Sequence, residues 1–444
     1  MVVSLSARLK STILLAVSGI LFTFAAKSDK RMNKLEAFVY ERVKNNYVLK
    51  DAIRNIYQGF YDLLPNYDSK FPSEPIVLED HYFGFHDVKP FSPDNKRLLS
   101  NRLTIPLRMP SRDDVLEVGF SDGPNYGAWH RLGETKAWNY HKGCRLQWVD
   151  GHHVIYNVCE ADRLKSCICH TETGEKRLVS WPIDSVSANG LLATSFSYGR
   201  LEKLMPGYGY VVGDDEASLN EYAPEQTGLY IVDLSKNERR KLFSLRQLSE
   251  LQPAEGMADT FHFVTHTEFS SDNRYVAFLH RWYKGTFQRT RLVVYDLQTD
   301  TLHVSPTTGM VSHYVWNSQN GIVAYCRMED IDSHVFFFGP DMKEWKRCGY
   351  PRLNSDGHHH FIDDDTFVVD TYPDKYRHCK LWKVNVKTDE VTLLADVKSL
   401  KQFVNPDDDH NWKCDLHPRV SADGTLVSFD STHTGKRSLC VMKI

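Results

Sequence analysis

Apolar and polar positions change rhythm twice along the chain. Thr12 to Ala26 is almost continuously apolar and follows a basic start at Arg8 and Lys10. Between residues 33 and 64, Leu35, Phe38, Val39, Val43, Ile53, Ile56, Tyr57, Phe60 and Leu64 recur mostly three and four apart, with Lys, Glu, Arg and Asp between them. That is the period of one helix face, and Pro65 ends it. After residue 70 the helical period disappears. Short apolar runs separated by polar turns replace it, the texture of an all-β domain.

One unit recurs in this region: a strand, a turn carrying Asp, Asn or Gly, and a strongly apolar strand. Copies begin at Phe91, Trp148, Ala188, Phe269, Trp316, Phe361 and Val420. The clearest turns are Phe91-Ser-Pro-Asp-Asn, Phe269-Ser-Ser-Asp-Asn and Val420-Ser-Ala-Asp-Gly. Asp, Asn and Gly tolerate the positive φ that tight hairpins need. A further strand follows each copy, as in Gly228–Leu234, Thr290–Leu297 and Lys380–Val386. Multi-stranded units repeating at roughly 40–60 residues predict propeller blades, each burying its faces on its neighbours.

The expected fold is therefore all-β, a seven-bladed β-propeller with a short N-terminal helical extension. Its expected divisions are a leader over 1–31, the helical extension over 32–70 and the propeller over 71–444. The long gap between the third and fourth copies predicts an extended loop that includes Leu201–Pro224. Leu439–Ile444 ends the last blade, and a strand near Glu74–Leu78 is expected to pair with it and close the ring.

Composition narrows the function. The 54 Lys+Arg nearly balance the 57 Asp+Glu, so no basic excess marks a nucleic-acid partner. Nine Cys cannot all pair within one chain. Cys159, Cys326 and Cys440 lie in apolar strand-like runs and read as buried thiols, which leans towards a reducing compartment. Cys167-Ile-Cys169 has no second pair at zinc spacing. The N-terminus leans the other way. A basic start, a short apolar stretch and Ala25-Ala26 read as a signal peptide, and the stretch is short for a membrane span. A genuine leader implies a periplasmic, secreted or membrane-attached protein. An apolar packing helix, or a true start at Met32, implies a cytoplasmic one.

In a propeller the inner strand of each blade runs beside the central channel, so residues ahead of the repeated turns should converge at one mouth. By that rule His86, Asp87, Asn139, His141, His266, His313, His358 and His417 approach a common funnel. Such a set with a carboxylate suits a divalent cation, and Asp356 or Asp370 would orient the rings. Each of these histidines has a competing role as a hydrogen-bonding joint between blades. In His358-His359-His360 only the first and third share a strand face. Arg281 and Arg291 add positive charge that pairs with carboxylates, and His280 is an alternative base to either. Leu204–Tyr210, with Tyr208 and Tyr210, reads as a sugar-stacking lip or a turn. No nucleophile elbow, phosphate-binding loop or dinucleotide fingerprint occurs.

Four segments carry a resemblance to TolB-like propellers, and more fully to the oligogalacturonate lyase group. They are Thr265-His266…Phe278-Leu279-His280-Arg281-Trp282, Val311-Ser312-His313…Trp316, Asp356-Gly357-His358…Asp370, and Asp415-Leu416-His417-Pro418-Arg419…Asp430. The blade pattern extends the resemblance over roughly residues 75–444. It is similar also to propellers linked to bacterial surface polysaccharide. The resemblance implies a divalent metal, manganese first with zinc or calcium as alternatives. It implies His358 and His417 as ligands, with Asp415 standing where the family carries a histidine and His313 and His266 nearby. It implies Arg291 as the nearest counterpart of the catalytic arginine, with Arg281 and His280 beside it. Tyr208, Tyr210, His141 and His86 are then expected to bind substrate. Two functions follow: a lyase acting on a uronate-containing glycan by metal-assisted β-elimination, or a non-catalytic propeller that binds surface glycan or a protein partner.

Overall fold

The computed structural model describes residues 67–444 apart from 214–216, 286 and 405–409, together with Gly59 and Asp62. The chain divides into two units, Met1–Asn66 and Tyr67–Ile444. The expected leader lies outside the described residues, as does the helical pattern over 33–64 except at Gly59 and Asp62. Among the described residues no helix is long and apolar enough to cross a membrane.

The second unit is a seven-bladed β-propeller of antiparallel sheets. The first blade runs from His81–Tyr82 at the channel through Leu98–Arg102 and Leu116–Asp122 to Ala128–Thr135. The second comprises Gln147–Trp148, His153–Glu160, Arg163–His170 and Lys176–Val179. The third has three strands, Leu192–Ser195, Gly228–Asp233 and Glu238–Ser244, with a single bridge from Val186 to Ala193 on the channel side. The fourth, fifth and sixth have inner strands Phe261–Phe269, Val311–Trp316 and His359–Phe361. The seventh is built from both ends of the unit. Ile76–Glu79 pairs antiparallel with Ser438–Lys443, with Val77 opposite Cys440, and so closes the ring as the sequence predicts.

The turns behave as their residues require. Asn95, Gly190, Asn273, Asn320 and Gly424 take φ of 57° to 73° at the repeated hairpins. The insertion in the third blade contains helix α1 (Tyr198–Leu204), capped by the Ser197 side chain on the Arg200 N–H. Helix α2 (Leu245–Glu250) follows the same blade and begins with a capping box between Ser244 and Gln247.

The core is a series of layers between blades. Ile155, Ile168, Ala193 and Val232 fill the seam between the second and third blades, and Val368, Leu381, Val427 and Phe429 the seam between the sixth and seventh. All nine cysteines are free thiols, eight of them buried. One boundary differs from expectation. Tyr67–Lys70, assigned from sequence to the helical extension, lies along the outer strand of the sixth blade. Lys70 exchanges backbone hydrogen bonds with Asp396 at 2.8 and 2.9 Å, and the Tyr67 ring stacks on His378 at 4.1 Å. Outer-strand backbone groups needed partners, and this short segment supplies them.

Candidate metal centre

A regular inner strand directs its side chains at the neighbouring blades, not along the channel. A residue that faces the channel therefore needs a break in the ladder. The converging histidines sit at such breaks. His266 has φ 53° and lies in the register shift between Thr265 and Glu268. His313 follows the shift after Val311. His358 immediately precedes its inner strand. His417 has φ 46° just ahead of Arg419–Val420. His86 lies in the irregular stretch between Tyr82 and the Phe91 bridge. Left-handed backbone at a residue other than Gly is costly and concentrates at functional sites, and bulges likewise re-aim side chains there.

The result is a compact cluster. The His313 and His358 rings lie 4.0 Å apart, and those of His358 and His417 4.2 Å. His86 stands 5.1 Å from His358, and Phe85 packs on His266 at 4.7 Å and on His417 at 4.9 Å. His358, Asp415 and His417 each offer a ligand atom, and these three atoms lie within 4.8 Å of one another. Two ligands bound to one ion are at most about 4.4 Å apart, given metal bonds of about 2.0–2.2 Å. The three therefore need only a small contraction.

Carboxylates behind the cluster hold its rings. Asp370 accepts from the His358 backbone N–H at 2.6 Å, faces His358 Nδ1 at 3.0 Å and accepts from the His417 backbone N–H at 2.9 Å. The His358 Nδ1–H is thereby committed to Asp370 and Nε2 is left for the site, the arrangement common behind metal-bound histidines. Asp356 holds His313 Nδ1 at 3.3 Å and the Ser312 hydroxyl at 2.6 Å. The orienting role expected of Asp356 and Asp370 corresponds to these contacts.

Charge in the site is set by burial and by these partners. Burial, followed by repulsion from His358 and His86, pushes His417 well below the usual imidazole range. Burial and the charges of Lys142 and Arg281 do the same to His266, and burial with His358 and His313 to His86. Burial also opposes charge on His358, but the Asp370 carboxylate outweighs it and raises that residue. Burial would raise Asp415, yet Lys413 and His358 hold it below the normal carboxylate range. The neutral imidazoles of His417, His266 and His86 beside an ionised carboxylate suit a cation, and His358 would give up its proton on binding one. Both ring nitrogens of His417, Nε2 of His86 and Nε2 of His266 are buried without a hydrogen-bond partner. Buried polar atoms are rarely left so, and a cation at His358, Asp415 and His417 would take one of the His417 nitrogens. The donor set fits such an ion.

Around the cluster stands a wall of aromatic and cationic groups. The Tyr208 ring lies flat on His141 at 4.4 Å and 6.3 Å from His266. Asn139 fixes that segment through the carbonyls of Tyr208 and Gly209, and the Asn411 side-chain carbonyl accepts from His141 Nε2–H at 2.5 Å. Arg281 reaches the Ser312 carbonyl at 3.5 Å, beside the cluster.

Three expected site residues lie elsewhere. Alternation along Tyr275–Lys284 turns His280 away from the face that carries Arg281. His280 instead meets His262 at 2.9 Å and Arg291 Nε at 3.2 Å. Arg291 donates to the Leu248, Leu251 and Gln252 carbonyls at the end of α2, and burial lowers it to about 10. Both residues serve the joint between α2 and the fourth blade. Tyr210 faces inward, stacked on Tyr198 at 4.4 Å and bonded to Asn157 at 2.9 Å. Conversely, Phe85, Tyr372 and Lys413 belong to the site and have no periodic signal in the sequence. The one hint is that Lys413 precedes the Asp415-Leu416-His417 run by two residues.

No family model matches the chain, and no curated protein does. Solved structures do. An oligogalacturonate lyase from Vibrio parahaemolyticus aligns over 84% of this chain and 92% of its own, with TM-score 0.53 and 13% identity. An oligogalacturonate lyase in complex with manganese aligns over 86% and 96%, with TM-score 0.57 and 14% identity. This chain has the oligogalacturonate lyase fold. Both alignments run nearly the full length of the lyases, so the ring corresponds as a whole. TolB from Acinetobacter baumannii aligns over 69% of this chain and 66% of its own, with TM-score 0.36 and 11% identity.

Proposed function

We propose that the chain is a divalent-cation-dependent lyase that cleaves a uronate-containing glycan by β-elimination. The observation that carries this reading is the set of three ligand atoms, from His358, Asp415 and His417, within 4.8 Å of one another, ringed by histidines whose buried nitrogens lack partners. A cation held by these residues would supply positive charge against the sugar carboxylate and so acidify the neighbouring carbon-bound proton. Two imidazoles and one carboxylate favour manganese, zinc or iron over calcium, which prefers oxygen ligands. Manganese also accompanies one of the lyases of this fold.

The protein groups take the remaining roles. Arg281 pairs with the substrate carboxylate, which a planar guanidinium binds through two oxygens. His266 offers an unpartnered Nε2 to take the carbon-bound proton and pass it to the oxygen of the departing 4-O-linked sugar as the C–O bond breaks. Tyr208 and Tyr372 provide ring faces for the pyranose. The test is metal analysis of the purified full chain, followed by incubation with oligogalacturonate and other uronate glycans. Retained manganese, zinc or iron and a rise in absorbance near ~230 nm are expected, from the conjugated product of elimination. No retained metal and no absorbance, together with glycan binding that survives EDTA, would replace the lyase by a binding platform.

A further inference from the structure

The register shift that turns His266 to the channel also takes the next residue out of the ladder. Thr265 pairs with Leu279 and Glu268 with Ala277, and His266 and Thr267 lie between them without a ladder partner. Asp184, on the channel side of the third blade, takes both donors of Thr267. Its Oδ2 accepts from the Thr267 backbone N–H at 3.0 Å and from the Thr267 hydroxyl at 2.8 Å. Its Oδ1 accepts from Lys142 Nζ at 2.6 Å and lies 3.1 Å from Arg145 Nε. Arg145 is itself paired through both terminal nitrogens with Asp87, at 2.8 and 3.0 Å. The Lys142 and Asp184 side chains are fully buried. Burial opposes the Asp184 charge, but Arg145 and Lys142 outweigh it and hold the carboxylate below its ordinary range. Two other site segments are met in the same way. Asp430 accepts from the Phe83 and Gly84 backbone N–H groups at 3.0 and 3.1 Å, just ahead of Phe85 and His86, and Asp370 holds His358 and His417.

We propose that Asp184 is a positioning residue for His266, fixed in that role by Lys142 and Arg145; this rests on the lyase reading above, in which His266 moves the proton. A buried ion pair adds little net stability once both charges have been dehydrated. This one fixes a carboxylate at a single place, with its second oxygen aimed at the bulge. Two hydrogen bonds then lock Thr267, and the backbone of His266 with it. Thr265 Oγ1 lies 2.9 Å from His266 Nδ1, and the Tyr314 hydroxyl donates to the His266 carbonyl. Ring and carbonyl are thus held from the other sides, and Nε2 alone is left for the substrate. Without Asp184 the left-handed backbone at His266 would relax into the regular ladder, where side chains point at the neighbouring blades.

The experiment is a kinetic double-mutant cycle on the full chain, with oligogalacturonate and manganese. Asp184→Asn should lower kcat at least about tenfold, since a misplacement of about 1 Å can cost ~100-fold. KM and retained manganese should stay near the parent's, because His358 and His417 are held by Asp370 and not by Asp184. In a His266→Ala background the same substitution should change the residual rate by less than about twofold, the mark of residues that act as one unit. Should Asp184→Asn fail to fold, Thr267→Val removes the hydroxyl donor at nearly constant shape and should lower kcat in the same His266-dependent way, and Thr267→Ser should restore it. An unchanged kcat, or a loss of equal size in both backgrounds, overturns the inference alone. If the parent protein cleaves no oligogalacturonate, the lyase reading loses its support, and crystal structures of the parent and Asp184→Asn decide the placement. A displaced His266 ring in the variant upholds it, and an unmoved ring overturns it.

Discussion

Two site histidines carry their own strain. His266 and His417 hold φ of 53° and 46°, a region that costs roughly 1–3 kcal/mol for a residue other than Gly. The chain bears this cost because only a break in the inner ladder turns an imidazole towards the channel. His417→Gly is therefore expected to fold more stably than His417→Ala by about 1 kcal/mol, while both lose the cation. Urea denaturation beside metal analysis checks this, and equal midpoints would show that His417 is not strained. The two arginines separate in the same way. Arg291→Met strands the buried Leu248 carbonyl and removes the donor from the part-buried Leu251 and Gln252 carbonyls, and should cost roughly 2 kcal/mol of stability. Arg281→Met should leave the denaturation midpoint near its original value and abolish cleavage. The histidines were legible as residues that precede a repeated turn. His280 and Arg291 were misjudged because sequence proximity to Arg281 hides the alternation that turns the strand's other face towards α2.

At the level of strands and turns, the repeats were legible because their chemistry is local. Asn95, Asn273 and Gly424 sit where a tight hairpin needs positive φ, and no distant contact is required to recognise that. Bulges are different. The shift between Thr265 and Glu268 leaves the hydrophobic alternation nearly intact, so the feature that aims His266 has no sequence signature. Loops are silent too: Lys413 and Tyr372 acquire their role only when the sixth and seventh blades meet. The closing strand yields a prediction at this scale. Leu78 packs from the seventh blade against the core that also holds Leu439. Leu78→Asp places an unpaired charge against the apolar side of this half-buried position and should cost about 1–2 kcal/mol. The expected sign is a lowered urea midpoint with loss of a single sharp transition. A sharp, unshifted transition would mean that the ring does not depend on this strand.

For the whole molecule, buried imidazoles make stability depend on acid. Burial, the dominant cause in each case, lowers His141 and His360 to about 3 and His81, His262 and His334 to about 4. In the unfolded chain these groups titrate near ~6.5. Their folded values are depressed, and for histidine it is the charged form that folding disfavours. The stability they permit is complete above about pH 6.5 and is lost as pH falls towards the folded values. Each contributes up to ~1.4 kcal/mol per pH unit in that window. Denaturant midpoints measured in EDTA should therefore drop steeply between pH 7 and pH 5. A flat profile over that interval would mean that these rings are accessible in the native state.

Asp370 ends a strand of the sixth blade, yet it grips the backbone of His417 in the seventh, the blade assembled from the two ends of the unit. The candidate ligands are divided across that same seam, His358 on one side and Asp415 with His417 on the other. An ion seated there would act as a clasp on a bracelet, fastening the circle near the blade where its two ends are joined. Loading the site should then make the whole protein harder to melt, and chelation should loosen the circle at this joint first.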